Sequence, residues 1–155
     1  MSATVRRVLR RLRAEEGGNA VVEFIGVTLV LLVPLVYLVL TLGQIQAAVF
    51  AAEAAARESG RTLSRAEELG TAVGQAQTSV ALAFEDHGIE VDPAAALSFT
   101  CSDDPCLSAG AQIHVEVATS VRLPLVPDFL AGAFPLEVPV RATHLAAVPE
   151  FGGLP

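Results

Sequence analysis

The sequence predicts an α+β protein in which a long N-terminal transmembrane helix continues into a second helix packed on a small antiparallel sheet. Three observations predict it. From Phe24 to Ala52 the chain runs 29 residues without Asp, Glu, Lys or Arg, and its first 19, Phe24 to Leu42, are mostly Leu, Val and Ile. Apolar residues then recur at helical spacing from Leu69 to Phe84, and at alternate positions in the last third of the chain.

The first element is a polar leader, residues 1–18. It holds Arg6, Arg7, Arg10, Arg11 and Arg13 against Glu15 and Glu16, a charge of +3, and ends in Gly17-Gly18. The span follows. Nineteen residues at about 1.5 Å each make roughly 28 Å of helix, close to the hydrocarbon thickness of a bilayer. One long helix over residues 19–60 is expected, apolar first and Ala-rich later. Pro34 invites a kink that a membrane helix tolerates. Gly43, Ala47, Ala51 and Ala55 recur every four residues, which reads either as a shallow stripe for another helix or as plain Ala enrichment from helix propensity. Glu53 and Arg57 form a favourable i,i+4 pair that marks the helix in water.

Gly60 is expected to weaken or break this helix, and Ser64 with Glu67 reads as a capping box for the next one. Leu69, Val73, Ala76, Val80, Ala83 and Phe84 give that second helix its apolar stripe, ending near His87-Gly88. The strands come last: Leu97 to Cys101, then Ala111 to Leu123 with Ile113, Val115 and Val117 alternating against His114 and Glu116. A loop around Asp128 is bracketed by Pro124, Pro127 and Pro135. In the final strand Leu136, Val138 and Val140 alternate with Glu137, Pro139 and Arg141, and Pro139 assigns it to an edge or a bulge. Residues 61–148 thus make a small extracytoplasmic α+β domain, and 149–155 a disordered tail.

Composition bounds the function. The net charge of −7 hides an asymmetry, because the 137 residues after the leader hold five Arg against fifteen acids, a charge of −10. A basic flank inside and an acidic body outside follow from the positive-inside bias. An acidic body also argues against nucleic acid, whose phosphates need a basic face. A removable signal peptide competes for the apolar segment, with small-residue sites at Ala47-Ala48 and Ala52-Glu53-Ala54, but its apolar region is normally 7 to 15 residues. The length here favours a retained anchor.

The two cysteines, Cys101 and Cys106, enclose Ser102-Asp103-Asp104-Pro105, a turn that brings sulfurs together. A disulfide is their expected state if this part lies outside the cytoplasm. Zinc is disfavoured, since no second Cys or His pair sits at suitable spacing. His87, His114 and His144 are the only imidazoles, and no metalloprotease, phosphate-loop or nucleophile-elbow motif is present. His114 and Glu116 on one strand face read as a solvated surface. No enzyme activity, cofactor or metal is expected.

Glu23 gives the clearest functional signal. It stands at the leading edge of the span, where a carboxylate needs the interface or a positive partner. Cleavage after Gly18 would make Asn19 the first residue and Glu23 the fifth, with Phe24 sixth. Basic leader, Gly, Glu at mature position five and apolar helix together resemble a type IV-like prepilin. More narrowly, residues 13–65, with Glu23-Phe24-Ile25-Gly26-Val27-Thr28-Leu29 through Pro34-Leu35, resemble the TadE-like minor pilins (pseudopilins) of tight-adherence (Tad/Flp) pilus systems, and the β-rich tail does so more weakly. The resemblance implies cleavage at Gly18-Asn19 by a prepilin peptidase. It also implies assembly through Glu23 and Phe24 with other pilin or pseudopilin subunits, and a single-pass cell-membrane protein with its N-terminus cytoplasmic. The alternative is a signal-anchored extracytoplasmic binding domain without an assembly role. In that case Gly17-Gly18 is a flexible linker and Glu23 an ordinary interfacial carboxylate.

Overall fold

The computed structural model describes residues 20–122 and 137–150. The expected leader, the Gly18-Asn19 junction, the loop around Asp128 and residues 151–155 lie outside the described residues. The first element is helix α1, Ala20–Ser64, 45 residues long with Pro34 inside it. Between Leu40 and Thr41 the chain divides into two compact units.

In the first unit α1 exposes large apolar side chains on every side. Val22, Phe24, Val30, Leu31 and Val39 are all more than 60% exposed. Leu, Val and Ile surround the helix here, so it has no continuous polar face to show to water. It is long and apolar enough to cross a membrane.

The second unit is a two-layer α+β domain. Its helical layer is the C-terminal part of α1 together with α2, Leu69–Glu85. A single turn, α3 (Pro93–Ala96), follows, with Asp92 accepting from the N–H groups of Ala94 and Ala95 and Pro93 at the first helical position. Three antiparallel strands form the other layer in the order β1-β2-β3: Leu97–Cys101, Gln112–Arg122 and Glu137–Ala147. The register aligns Leu97 with Val117, Phe99 with Val115 and Cys101 with Ile113; across β3 it aligns Ile113 with Ala146, Val115 with His144 and Val117 with Ala142. These in-register sets share one face and pack under the helices. The opposite face carries Thr100, His114, Glu116, Ser120, Arg122, Arg141 and Thr143, so the sheet is apolar on one side and polar on the other, as an antiparallel sheet can be.

The core explains where the elements end. Ala48, Ala51, Ala52, Ala55 and Ala56 of α1 are buried with Val80 and Phe84 of α2 and with Val117, Val121, Val140 and Ala142 of the sheet. A second cluster joins Leu63, Ala72 and Ala76 to Ile113, Val115 and Val148. The buried positions of α1 fall at i, i+3, i+4 and i+7, one helical face. The helix that reads as a possible docking stripe at Ala51 and Ala55 is therefore covered by its own domain.

Gly60 corrects the expected break. It is buried inside α1, which continues to Ser64. A Cβ built there would meet the His144 ring at 2.8 Å and the Ala146 Cβ at 3.2 Å. The missing side chain lets the helix axis approach β3, and tertiary packing offsets the roughly 1 kcal/mol that Gly costs in a helix. Neighbouring Ser59, fully buried, donates to the Ala76 carbonyl at 3.4 Å and ties α1 to α2.

Ser64 is likewise no cap for α2. It is the last residue of α1, and its hydroxyl donates to the Arg61 carbonyl at 3.3 Å. Glu68 occupies the N-cap position; no side chain caps the turn, and its carboxylate instead accepts from the Thr71 hydroxyl at 2.7 Å. The C-terminal end of α2 follows the expectation. The Ile89 N–H returns to the Phe84 carbonyl at 3.0 Å around Gly88, whose φ of 66° lies in the left-handed region.

Pro139 lies on β3, an edge strand, as its missing N–H requires. The strand extends to Ala147, six residues beyond Arg141. Its later core-facing residues, Ala142, His144 and Ala146, are small or polar and carry little β signal in sequence.

Candidate functional site

Glu23 lies in the first turn of α1. It is the only charged residue of α1 before Glu53. Phe24 beside it is 71% exposed. Gly26, one turn on, has no atom within 4 Å of an added Cβ. Among the described residues this end of the helix presents a single acid above an apolar surface, an arrangement suited to one charge-paired contact. Gly18 and Asn19, the expected cleavage pair, lie outside the described residues.

Cys101 and Cys106 form a disulfide with a Cα–Cα distance of 5.3 Å. Cys101 ends β1, and the loop between the two is tied back to β2. The Ser102 N–H donates to the Gln112 carbonyl at 2.9 Å, and the Gln112 N–H donates to the Ser102 hydroxyl at 2.8 Å. Cys106 and Leu107 pack against the cluster of Ile113 and Val115. The loop then turns at Gly110, φ 80°, whose N–H donates to the Val148 carbonyl at 3.1 Å. The disulfide thus anchors the loop that closes one end of the sheet.

The histidines do not converge. His114 is exposed on the polar face of β2, aligned with Thr100 and Leu145. His144 is half-buried on the opposite face against Gly60, and His87 lies exposed in the turn after α2. Glu116 is engaged by Arg141 across the sheet at 2.9 Å. A surface cleft of 410 Å³ is lined by Glu53, Arg57, Arg141 and His144. Its guanidinium groups are directed to partners, Arg57 to Glu53 at 3.3 Å and Arg141 to Glu116. Among the described residues no group of three His, Cys, Asp or Glu side chains is placed to hold a metal ion.

Among the described residues, the two charged groups with shifted titrations, Glu58 and Arg61, both lie on α1. Arg61 donates two hydrogen bonds to Glu58 and holds its carboxyl below the ordinary glutamate value of 4.5. Both side chains are solvated, so the pair supports the helix surface and little else.

The packing residues Ala48, Ala52, Ala56 and Ser59 carry no motif in the sequence, and Gly60 reads there only as a helix breaker. Their signal is the small-residue spacing that continues past Ala55 through Ser59 and Gly60, too regular along one face for propensity alone.

The fold and its exposed helix define a class: a small α+β domain carried on a helix able to span a bilayer. Comparison of the chain with family models, with curated proteins and with solved structures finds no match.

Proposed function

We propose that the chain is a membrane-anchored, minor pilin-like (TadE-like) component of pilus assembly, processed by a prepilin peptidase. The observation that carries this reading is the lone carboxylate of Glu23, set in the first turn of a helix that carries no other charge until Glu53. Such an acid is costly in hydrocarbon, by about 3 kcal/mol at mid-bilayer. Removal of the leader after Gly18 supplies the remedy, because the new ammonium of Asn19 in one subunit neutralises Glu23 in its neighbour. The α+β domain is then carried outside the membrane, where its disulfide is stable, and it acts by contact with other pilin or pseudopilin subunits. Its role is structural.

The test is a Glu23→Ala strain with its peptidase active. Membrane partition and cleavage after Gly18 are expected to persist, with Asn19 found at the N-terminus, while co-purification with pilin partners and piliation are lost. Normal piliation in that strain, or a membrane-fraction protein still beginning at Met1, would overturn the reading and leave an anchored binding domain.

A further inference from the structure

We propose that the outer edge of β3, from Arg141 to Ala147, binds an extended acidic peptide segment of a partner protein as a fourth strand of the sheet. The site belongs to the α+β domain alone and does not depend on Glu23 or on the span.

The phase of the ladder decides which backbone groups turn outward. Between β2 and β3 the Val148 N–H donates to the Ala111 carbonyl at 2.8 Å, continuing the register that aligns Gln112 with Ala147. In an antiparallel pair alternate residues exchange bonds with the neighbour, and those between turn away. Val138, Val140, Ala142, His144 and Ala146 therefore face β2. Pro139, Arg141, Thr143, Leu145 and Ala147 present their backbone groups to the open side. Pro139 agrees with this phase, because its missing N–H falls where β2 needs none. All five outward positions are exposed. Among the described residues their N–H and C=O groups have no hydrogen-bond partner, and β3 has no neighbour but β2.

Natural sheets guard such an edge with charge or proline. Here Pro139 and Arg141 guard its beginning only, since Ala142 to Ala147 contains no Pro, Lys, Arg, Asp or Glu. Arg141 to Ala147 is about 20 Å of strand, room for a peptide of about seven residues. Charge chooses the occupant. The cleft along this edge is lined by Arg57, Arg141, His144 and a single carboxylate, Glu53. Arg141 stands on the polar face of the sheet and Arg57 on the helical layer, so a guanidinium flanks the edge on either side. The Arg57 pair with Glu53 uses Nη1, and the Arg141 pair with Glu116 uses Nε. Each fork keeps further donors for a second carboxylate. Main-chain bonds to β3 supply affinity, and a Glu or Asp side chain of the added strand supplies selectivity. A second copy of this edge would not serve, because β3 carries no acid from Val138 to Ala147.

The test is amide exchange by NMR on the full-length protein in detergent, alone and with two synthetic peptides, Thr-Val-Glu-Val-Thr-Val and Thr-Val-Lys-Val-Thr-Val. Alone, the N–H groups of Arg141, Thr143, Leu145 and Ala147 should exchange fast, and those of Val140, Ala142, His144 and Ala146 slowly. The glutamate peptide should slow the first set by about tenfold or more, and the lysine peptide several-fold less. Thr143→Pro removes one outward donor while leaving every bond to β2, and should abolish the effect. Arg141→Gln should make the two peptides alike. A first set already protected without peptide overturns the inference, assigning the edge to the chain's own residues or, where protection follows protein concentration, to a second copy. No protection by the glutamate peptide, or equal protection by both peptides in the parent protein, also overturns it.

Discussion

The two halves of α1 belong to one continuous helix, yet they are built for different surroundings. Before Leu42 the side chains are large and point everywhere, with Val30 and Leu31 more than 60% exposed. After Gly43 large residues give way to Ala48, Ala51, Ala52, Ala55, Ala56, Ser59 and Gly60, all buried on one face. The first half carries apolar bulk without direction, which suits a solvent that is itself apolar. The second carries small residues with direction, which suits a solid partner that must come close. Mean hydropathy alone would merge them; side-chain size and one-sidedness separate them.

That contrast predicts where substitutions are felt. The largest effect is expected at Phe84, fully buried against the alanines of α1. Phe84→Ala should lower domain stability by about 3–5 kcal/mol through lost burial and a cavity, measured by urea unfolding in detergent. Leu82→Ala, on the exposed side of the same helix, should stay within about 0.5 kcal/mol. Equal losses at the two positions would break the assignment of α2's faces.

Gly60 and Gly43 sharpen the comparison within α1. Gly60→Val drives two methyl groups into His144 and Ala146 and should cost about 1–3 kcal/mol. A Cβ added at Gly43 meets nothing within 4 Å, so Gly43→Val should change domain unfolding by no more than about 0.5 kcal/mol. The reverse order would mean that the helix contacts something at Gly43 instead of the sheet at Gly60.

Loss of the disulfide acts on the domain alone. Replacing Cys101 and Cys106 by Ser should cost about 2 kcal/mol, the chain-entropy value for so short a loop. Amide exchange should rise first from Ser102 to Ala111, while residues 20–40 remain unchanged. A change confined to residues 20–40 would contradict this.

The smallest effect concerns Glu58. Its carboxyl is held below 4.5 by the hydrogen bonds from Arg61, so its contribution is present above the unfolded value and is lost as pH falls through the lower folded one. Glu58→Gln should be slightly less stable than the parent at neutral pH, with the difference vanishing well below pH 4.5 and in high salt. A difference that grows on acidification would refute the stated pairing.

Much of this was legible because local rules were obeyed. The 29-residue uncharged run gives the helix, and the alternation of Ile113, Val115 and Val117 gives β2 with its buried face. Leu97 to Cys101 is a strand as read, and Pro139 sits on an edge. Other points were misread because a local rule lost to packing. Gly60 looks like a helix breaker and is a contact. Ser64 and Glu67 have the letters of a capping box, but α1 does not stop until Ser64 itself. The turn α3 was overlooked although Asp92-Pro93 is an N-cap followed by Pro at the first helical position. Glu23 was legible as a position in a pattern, and the fold adds that it lies on the same continuous helix as the buried alanines.

The sequence by itself determined an apolar helix of membrane length with one acid at its start, a charge asymmetry across it, two cysteines within reach of each other and an antiparallel sheet with one polar face. These depend on composition and short-range spacing, where each residue's chemistry acts locally. Only the tertiary structure decided that the later alanines of α1 are half of the domain's core, that Gly60 admits β3, and that β3 runs to Ala147. The reason is physical: small residues such as Ala and Gly have weak preferences of their own, so their roles are set by which distant surface comes within van der Waals reach.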